Sequence, residues 1–387
     1  MQGSSWAHFS LPTKLFLESG CTFKIGSYVK HFGGRVLLLS IPDEIKNQAE
    51  YDILKNGLIQ SSQGVITYEE LTLNPDSDQI DSATYFLKKS HADVIVAYGS
   101  TDTLNAAKAV AALANNSVFA KDLIITTNQL KKPQVPLITV PCEPCLGEEV
   151  SPSVIMLDSE KNTRHYIHHE YMFPSATFYD TKLAEHMTSD SAARLGGAMM
   201  VYCIESQLSP KNNVVSTALI LRNIESIRKN LPLLYKDPSN EKHISSLLWT
   251  SLMTGMATII SPSGVSYAIA NAINNRTNIN FHDAITLVLP HVMENYLTAA
   301  PAQYINIARS LGEDVKDISV IEAAIKAVEG IRKLFLEINL PTRLSEFEIK
   351  KYELPDIATE SVLFPHIENA PRVLNKNEIE SILLAAF

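Results

Sequence analysis

The stretch AYGSTDTLNAAKAVAALANN, residues 97–116, joins the end of an apolar run, DVIVAYG (93–99), to an alanine-rich segment with helical spacing. A glycine-bearing turn between a strand and a helix is where α/β proteins hold phosphate, because free backbone N–H groups and the helix dipole both favour an anion. Asp102 lies in this turn. We interpret it as the N-cap of a helix that begins at Thr103 and therefore expect the turn to accept phosphate poorly.

The composition is that of an ordinary globular protein. The 387 residues are 45% hydrophobic and 19% charged, which is enough chain for two domains with buried cores. The formal net charge of −9 argues against a nucleic-acid or anionic-membrane partner. Four cysteines fit a reducing compartment, and the first residues have neither the basic start nor the apolar core of a secretory signal. We expect a cytoplasmic protein.

One segment, residues 244–275, carries no charged residue. Ser, Thr and Asn interrupt it, as does SPSG at 261–264, so its apolar runs are shorter than the roughly 20 residues that a membrane span needs. We expect a pair of buried helices here and no membrane segment.

The first 180 residues alternate β-rich runs with helical segments. Strands are predicted at 34–42, 64–71, 93–99 and 136–141, helices at 43–61, 77–91 and 103–114, and a hairpin followed by a last strand within 153–180. This alternation predicts a parallel, Rossmann-like sheet with helices on both faces.

After Asp180 the hydrophobic pattern changes to a period of about 3.6 residues. Helices are predicted at 181–186, 190–207, 213–229, 240–260, 265–274, 283–297, 301–311, 317–337 and 376–386. We therefore predict an α/β domain over 1–182 and an all-helical domain over 183–387. A cleft between them is the expected ligand site, lined by 99–102, 139–149, 198–202 and 264–282.

Seven motifs follow one another in the order and spacing of a known family. They are GSTDTLNAAK (99–108), PCEPCLGEEVSPSVI (141–155), ATFYD (176–180), GGAMMVYCIE (196–205), GVSYAIANAI (264–273), VLPHVMEN (288–295) and NAPRVLNKNEIESIL (369–383). In this register the chain resembles the iron-containing (group III) alcohol dehydrogenase family. The resemblance implies NAD(P)-dependent interconversion of small alcohols with aldehydes or ketones, and a homodimer with an N-terminal strand at its interface.

The resemblance also implies one divalent iron or zinc ion, held by an Asp and a His four residues apart on one helix and by two later His. Those positions are Ala198, Tyr202, Tyr267 and Phe281 here. Alanine has no donor atom, and a phenol with a pKa near ~10 is a poor ligand at neutral pH. His282, next to Phe281, restores at most one position. We expect no Fe or Zn.

The substituted positions have two interpretations. The rings of Tyr202 and Tyr267 are expected to fill the vacated space and to hydrogen-bond each other or Asn271. The alternative is catalytic, with Tyr202, Tyr267 or His282 acting as the proton donor of a metal-free enzyme.

The cofactor loops are altered in a similar way. The residues that the resemblance assigns to NAD or NADP are Gly99, Ser100, Thr101, Asp102, Lys108, Thr139, Cys142 and Gly147. One glycine remains of three in the first loop, Glu143 and Glu148 add negative charge in the second, and Ile41 stands where a ribose-binding carboxylate is expected. We therefore expect NAD or NADP to bind weakly.

Two further groups of residues carry weaker signals. Cys142-x-x-Cys145 resembles half of a zinc site, but no second pair exists, so two loop thiols are expected. His165, His168 and His169 lie in a polar stretch whose alternation does not bring all three to one face.

Three functions stay open on the sequence. The first is an NAD(P)-dependent, metal-independent dehydrogenase or reductase, and family resemblance favours it. The second is a non-catalytic descendant whose cleft binds or assembles. The third is a different small-molecule reaction in the same cleft, as in the related dehydroquinate synthase and glycerol dehydrogenase scaffolds. The chain is interpreted as a degenerate oxidoreductase, with its activity left open.

Overall fold

Residues 9–387 are described by a computed structural model, and they divide into two compact units. Leu11–Met187 is the α/β unit, and Thr188–Phe387 belongs to the helical unit. The division falls after Met187, where the sequence predicted it after residue 182.

A parallel sheet of six strands forms the centre of the α/β unit, and a separate hairpin is antiparallel. The strands are β1 (Lys14–Leu17), β2 (Arg35–Leu39), β3 (Gly64–Tyr68), β4 (Val94–Gly99), β5 (Leu137–Pro141), β6 (Ser153–Leu157), β7 (Arg164–His168) and β8 (Ala176–Tyr179). The sheet order is β1-β8-β5-β4-β2-β3, and β6 pairs with β7. The predicted Rossmann-like sheet is confirmed.

Both faces of this sheet are buried. On β4, Val94, Val96 and Tyr98 point into one apolar cluster, and Ile95 and Ala97 point into the other. A parallel strand covered on both faces needs apolar residues at every position, which is why the run DVIVAYG lacks the polar alternation of a half-exposed strand.

Helices cover the two faces of the sheet. They are α1 (Ile25–Tyr28), α2 (Gln48–Ser61), α3 (Ser77–Ser90), α4 (Thr101–Ala114) and α5 (Ala120–Ile125). The alanines of α4 let it pack closely on β4 and β5, and its residues 103–113 are all buried. The predicted helix 43–61 begins only at Gln48, because Pro42–Glu44 forms a 3-10 turn. The short elements β1, α1 and α5 were not predicted.

The second unit is helical throughout residues 188–387. Its helices are α6 (Ser189–Leu208), α7 (Val214–Lys236), α8 (Glu241–Ile260), α9 (Val265–Arg276), α10 (Phe281–Asn295), α11 (Pro301–Ser310), α12 (Val320–Glu337), α13 (Leu354–Ser361) and α14 (Lys376–Ala385). The predicted all-helical region is confirmed, and α13 is an addition to it.

The helix α6 packs closely on its neighbours because two glycines leave space. A Cβ on Gly196 would lie 2.5 Å from Cδ1 of Leu231, and one on Gly197 would lie 2.7 Å from Cδ1 of Leu340. These contacts fix the helix that carries positions 198 and 202.

Over residues 9–387, no single helix has the length and apolar character of a membrane span. The bent pair α8 and α9 passes such a test on length and composition, with an angle of 105° between the two helices. Residues 265–273 of α9 are all buried within the protein, in agreement with the predicted buried helix pair.

Candidate functional site

The candidate site of the α/β unit lies where β2, β4 and β5 end. These strands are parallel neighbours, so the segments that follow them meet at one edge of the sheet. Gly99, the last residue of β4, lies opposite Pro141, the last residue of β5. The carboxyl edge of such a sheet is where α/β proteins bind ligands.

The carboxylate of Glu44 occupies the N-terminus of α4. Its Oε2 accepts hydrogen bonds from the backbone N–H groups of Ser100 and Thr103, both at 2.9 Å. Its Oε1 accepts from the N–H of Asp102 at 3.2 Å and from the Ser100 hydroxyl. Glu44 is 4% exposed. The N–H groups that a bound phosphate would use therefore already have an anionic partner.

The local sequence explains how Glu44 reaches this place. Pro42–Glu44 turns sharply after β2, and the thiol of Cys142 donates to the backbone oxygen of Glu44 at 3.2 Å. A Cβ on Gly99 would lie 2.9 Å from Oε2 of Glu44 and 2.3 Å from Oγ1 of Thr103. The retained glycine of the loop thus makes room for Glu44 and Thr103.

The predicted N-cap role of Asp102 is wrong. The helix α4 begins at Thr101 with Ser100 as its N-cap, and Asp102 lies in the first turn. Its Oδ2 accepts from the backbone N–H of Asn74 at 2.7 Å. The capping is done by Glu44, a residue that the sequence argument had not considered.

The environment of Asp102 opposes its ionisation. Burial and the charge of Glu44 raise the pKa of Asp102 to about 6, although the Asn74 N–H and the charge of Arg164 act in the opposite direction. The edge of the sheet therefore holds two neighbouring carboxyl groups, Glu44 and Asp102.

We expect Asp102→Asn to raise the free energy of unfolding at pH 8 by about 2 kcal/mol. The folded-state pKa of Asp102 lies above its ordinary value of 3.8, so the folded protein holds this proton more tightly than the unfolded chain does. Wild-type stability therefore falls as the pH rises from about 4 to about 6. Urea denaturation at pH 4 and pH 8 measures the gain. An equal gain at both pH values would contradict it.

The second loop adds two further carboxyl groups. Burial raises the pKa of Glu143 and of Glu148, and the charge of Lys108 partly offsets the effect at Glu148. The carboxylate of Glu148 accepts from the N–H of Leu146 at 2.7 Å. Gly147 turns the chain between these residues with φ of 105°, a conformation that favours glycine.

Lys108 and Thr139, both predicted to bind cofactor, are fully buried. The ammonium of Lys108 donates to the backbone oxygen of Ser153, and burial lowers its pKa to about 8. The hydroxyl of Thr139 donates to the backbone oxygen of Glu149 at 3.1 Å. In the structure both side chains hold the second loop and the strand that follows it.

The two thiols of this loop are buried and not disulfide-bonded. Burial raises the pKa of Cys142 and of Cys145 well above the ordinary thiol value. Cys145 forms a group with Glu148 and Glu149 whose potential ligand atoms lie within 4.8 Å of one another. The buried ammonium of Lys108 lies near this group, since the charges of all three residues raise its pKa.

The predicted metal positions of the helical unit form an aromatic cluster. The ring of Tyr267 lies edge to face with Tyr202, at 5.9 Å between centroids, and with Phe281, at 5.6 Å. It also packs on the ring of His366 at 4.1 Å. The two tyrosines meet as predicted. The side-chain amide of Asn271 donates to the backbone oxygen of Tyr267.

These side chains do not fit a divalent iron or zinc ion. Ala198 and Phe281 offer no donor atom, and Tyr202 and Tyr267 offer phenols in place of carboxylate or imidazole. Tyr202 is 8% and Tyr267 is 5% exposed, so their rings contribute to a packed interior.

His282 is neutral at physiological pH. Burial lowers its pKa to about 4. Asn280 Oδ1 accepts from the backbone N–H of His282, which identifies it as the amide oxygen, and it lies 3.0 Å from the imidazole Nδ1. The neutral ring therefore carries its proton on Nδ1 and a lone pair on Nε2.

Two residues of these sites, His366 and Glu44, were not predicted from the sequence. His366 is buried, and burial lowers its pKa to about 3. It stands alone in LFPHIEN, and no spacing connects it to Tyr267. Glu44 had a weak signal, because it lies five residues after the end of the buried strand β2.

The three histidines in and next to β7 form separate hydrogen bonds. His165, His168 and His169 each hydrogen-bond a different partner within two to fifteen residues. This agrees with the predicted lack of a common site.

The chain is similar to known proteins over almost its whole length. The 1,3-propanediol dehydrogenase of Citrobacter freundii is 23% identical over 383 residues, which cover 98% of each sequence. The crystal structure of a 1,3-propanediol oxidoreductase matches with a TM-score of 0.95 at 22% identity, covering 99% of this chain and 100% of that one. The sulfoacetaldehyde reductase of Bifidobacterium kashiwanohense, in complex with NAD⁺, matches with a TM-score of 0.88 at 18% identity, covering 99% of each chain.

Two family models account for nearly all of the sequence. The model of the iron-containing alcohol dehydrogenase matches residues 12–181, and the C-terminal model of the Fe-containing alcohol dehydrogenase family matches residues 193–387. These ranges coincide closely with the α/β and helical units. The chain belongs to the iron-containing alcohol dehydrogenase family.

Proposed function

We propose that the protein is a divergent oxidoreductase of this family, acting on small alcohols and aldehydes, with a weakened NAD(P) site and without a catalytic metal. The observation that carries the proposal is the match of both family models, which together span the chain. The names of the relatives support the substrate class, since they include a 1,3-propanediol dehydrogenase and a sulfoacetaldehyde reductase. The complex of the latter with NAD⁺ supports the cofactor class.

The metal-free part of the proposal rests on the aromatic cluster. Tyr202, Tyr267 and Phe281 pack ring to ring where the resemblance implies a metal, and Ala198 adds no ligand. We propose that these rings take over the structural role of the ion.

A proton donor is then needed from the chain itself. His282 is a poor candidate for an acid, because burial keeps its imidazole neutral and its Nδ1 faces Asn280. The role falls to the hydroxyl of Tyr202 or Tyr267, since a tyrosine hydroxyl is one of the side-chain groups that act as general acids.

The non-catalytic alternative is favoured by a different observation. The carboxylate of Glu44 fills the N–H groups at the start of α4, and the tyrosine rings are largely buried. A protein with this arrangement keeps the family fold while losing the ligands that its relatives use, and then serves as a binding or assembly partner.

One assay series tests the proposal. Protein purified without chelators is analysed for Fe and Zn, titrated with NADH and NADPH by calorimetry, and assayed for oxidation of either coenzyme with short-chain aldehydes. We expect substoichiometric metal, a dissociation constant near millimolar, and slow turnover. Turnover should fall in Tyr202→Phe or Tyr267→Phe. No turnover in the wild-type protein would favour the non-catalytic alternative, and one equivalent of metal would refute the metal-free reading.

We also propose a cytoplasmic homodimer. The four cysteines are buried and not disulfide-bonded, which is consistent with a reducing compartment. The strand β1 lies at the edge of the parallel sheet, where an N-terminal strand is available to a second copy.

A further inference from the structure

We propose that the carboxylate of Glu44 is a built-in occupant of the phosphate position in the α/β unit, so that a dinucleotide binds there only by displacing it. The inference rests on the proposed function in one respect, because NAD(P) is taken as the ligand class. It assigns the weakness of the site to Glu44, a residue outside the resembling motifs.

Three of the N–H donors at the start of α4 are engaged by Glu44. The two oxygens of Glu44 receive the N–H groups of Ser100, Asp102 and Thr103 and the hydroxyl of Ser100. A phosphate at a helix N-terminus binds through these same first-turn N–H groups. The two anions therefore compete for one set of donors, and the residues present do not fit a bound pyrophosphate.

The charges around Glu44 strengthen this competition. Burial, and in addition the charge of Glu44, raise the pKa values of three nearby carboxyl groups, those of Asp102, Glu143 and Glu148. The buried ammonium of Lys108 is already engaged with the backbone of Ser153. A phosphate entering beside the Glu44 carboxylate would meet like charge, and the N–H groups of Ser100, Asp102 and Thr103 would already be bonded to that carboxylate.

The residues that surround Glu44 hold its backbone and its carboxylate in place. Gly99 leaves the space that Oε2 and Thr103 fill, the hydroxyl of Thr103 accepts from the N–H of Ile41 at 3.2 Å, and the Cys142 thiol donates to the Glu44 backbone. Elements following β2, β4 and β5 all contribute. Glu44 is thus a buried part of the sheet edge and not a surface side chain that happens to fold inward.

The helical unit supplies a matched control. There the buried carboxylate of Glu205, on α6, accepts from the N–H groups of Gly264 at 2.7 Å and Ser266 at 2.5 Å, at the start of α9. Glu205 and Glu44 thus have the same structural role: each is a buried glutamate that caps the N-terminus of a helix from another element. They differ in the helix that they cap.

The experiment compares Glu44→Ala, Glu44→Gln, Asp102→Ser and Glu205→Ala in the full chain. Calorimetry measures the affinity for NADH and, separately, for inorganic pyrophosphate, and a thermal melt checks that each variant folds. We expect Glu44→Ala to bind both probes about tenfold more tightly than wild type, or better. Glu44→Gln should show a smaller gain, because its amide keeps one acceptor oxygen without the charge. Asp102→Ser should show a smaller increase in affinity than Glu44→Ala. Glu205→Ala should lower the free energy of unfolding without any increase in affinity.

The outcomes separate this inference from the proposed function. Tighter pyrophosphate binding by the Glu44 variants without NADH binding supports the displaced carboxylate and refutes the NAD(P) assignment. Unchanged affinity for both probes in a folded Glu44→Ala overturns the inference. If Glu44→Ala does not fold, unchanged affinity in Glu44→Gln overturns it equally. An equal gain in Glu205→Ala would also overturn it, since the effect would then come from loosening the protein in general.

Discussion

Tyr267→Ala is expected to lower the free energy of unfolding by about 3–5 kcal/mol. Tyr267 is 5% exposed and stands at the centre of the aromatic cluster, with its ring against those of Tyr202, Phe281 and His366. Truncation leaves a cavity bounded by three rings that are held by separate segments, so the site cannot collapse easily. Chemical denaturation of the purified variant measures the loss.

Two companion variants show whether the ring carries the effect. Tyr267→Phe keeps the ring and removes only the hydroxyl, and most of the stability should be retained. Tyr352→Ala removes a tyrosine whose side chain is 78% exposed, and its effect should be slight. A loss in Tyr267→Phe as large as that in Tyr267→Ala would move the effect from ring packing to the hydroxyl.

Asp180→Ala is expected to destabilise the α/β unit by about 3 kcal/mol. Asp180 follows β8 and is 2% exposed. Its Oδ1 accepts from the N–H of Gly20 at 2.8 Å and of Lys182 at 3.1 Å, and its Oδ2 accepts from the N–H and hydroxyl of Thr22 at 3.2 and 2.7 Å. Removing the carboxylate leaves these donors without their anionic acceptor, which costs more than a single neutral hydrogen bond.

The controls for Asp180 are graded. Asp180→Asn retains one acceptor oxygen and should lose about half as much stability as Asp180→Ala. Glu18→Ala removes an exposed carboxylate that pairs with Lys24 on the surface, and unfolding should be unchanged. Thermal and urea unfolding distinguish these variants. Equal stability of Asp180→Ala and wild type would show that water replaces the carboxylate without cost.

Most of the fold could be predicted because its signals are local. The β-rich runs of the α/β unit and the long periodic helices after Asp180 each bury a face that their own residue pattern reveals. The elements that were missed, β1, α1, α5 and α13, have only four to eight residues. Over such lengths a periodic pattern has too few positions to be distinguished from chance.

The candidate site was harder to predict because its decisive contacts are not local. The rules of helix capping favour a residue next to the helix, so Asp102 was chosen, whereas Glu44 lies 56 residues from Ser100 along the chain. In the structure Glu44 supplies two oxygens to the N–H groups at the start of α4, and the carboxyl group of Asp102 accepts from the N–H of Asn74 instead. Only the parallel order of β2 and β4 brings the two segments together.

The aromatic cluster was predicted only in part, again because one of its contacts is not local. The meeting of Tyr202 and Tyr267 was predicted, because the resemblance places both at one point. His366 was not, since it comes from a segment without a periodic pattern and reaches Tyr267 only through the packing of the helical unit. Residue types can thus be anticipated at positions that a family shares, and their additional neighbours cannot.

The carboxylate at the start of α4 changes how the protein's lifetime depends on its surroundings. When a helix N-terminus is capped by a bound anion from solution, the free energy of unfolding rises with the logarithm of the concentration of that anion once the site is nearly saturated. Glu44 is part of the same chain as α4, so the local concentration of the capping carboxylate does not change with solution conditions. On this inference the helix end keeps its acceptor in the absence of nucleotide, and we expect the resistance of the folded chain to proteolysis to change little when NADH is added below the millimolar range.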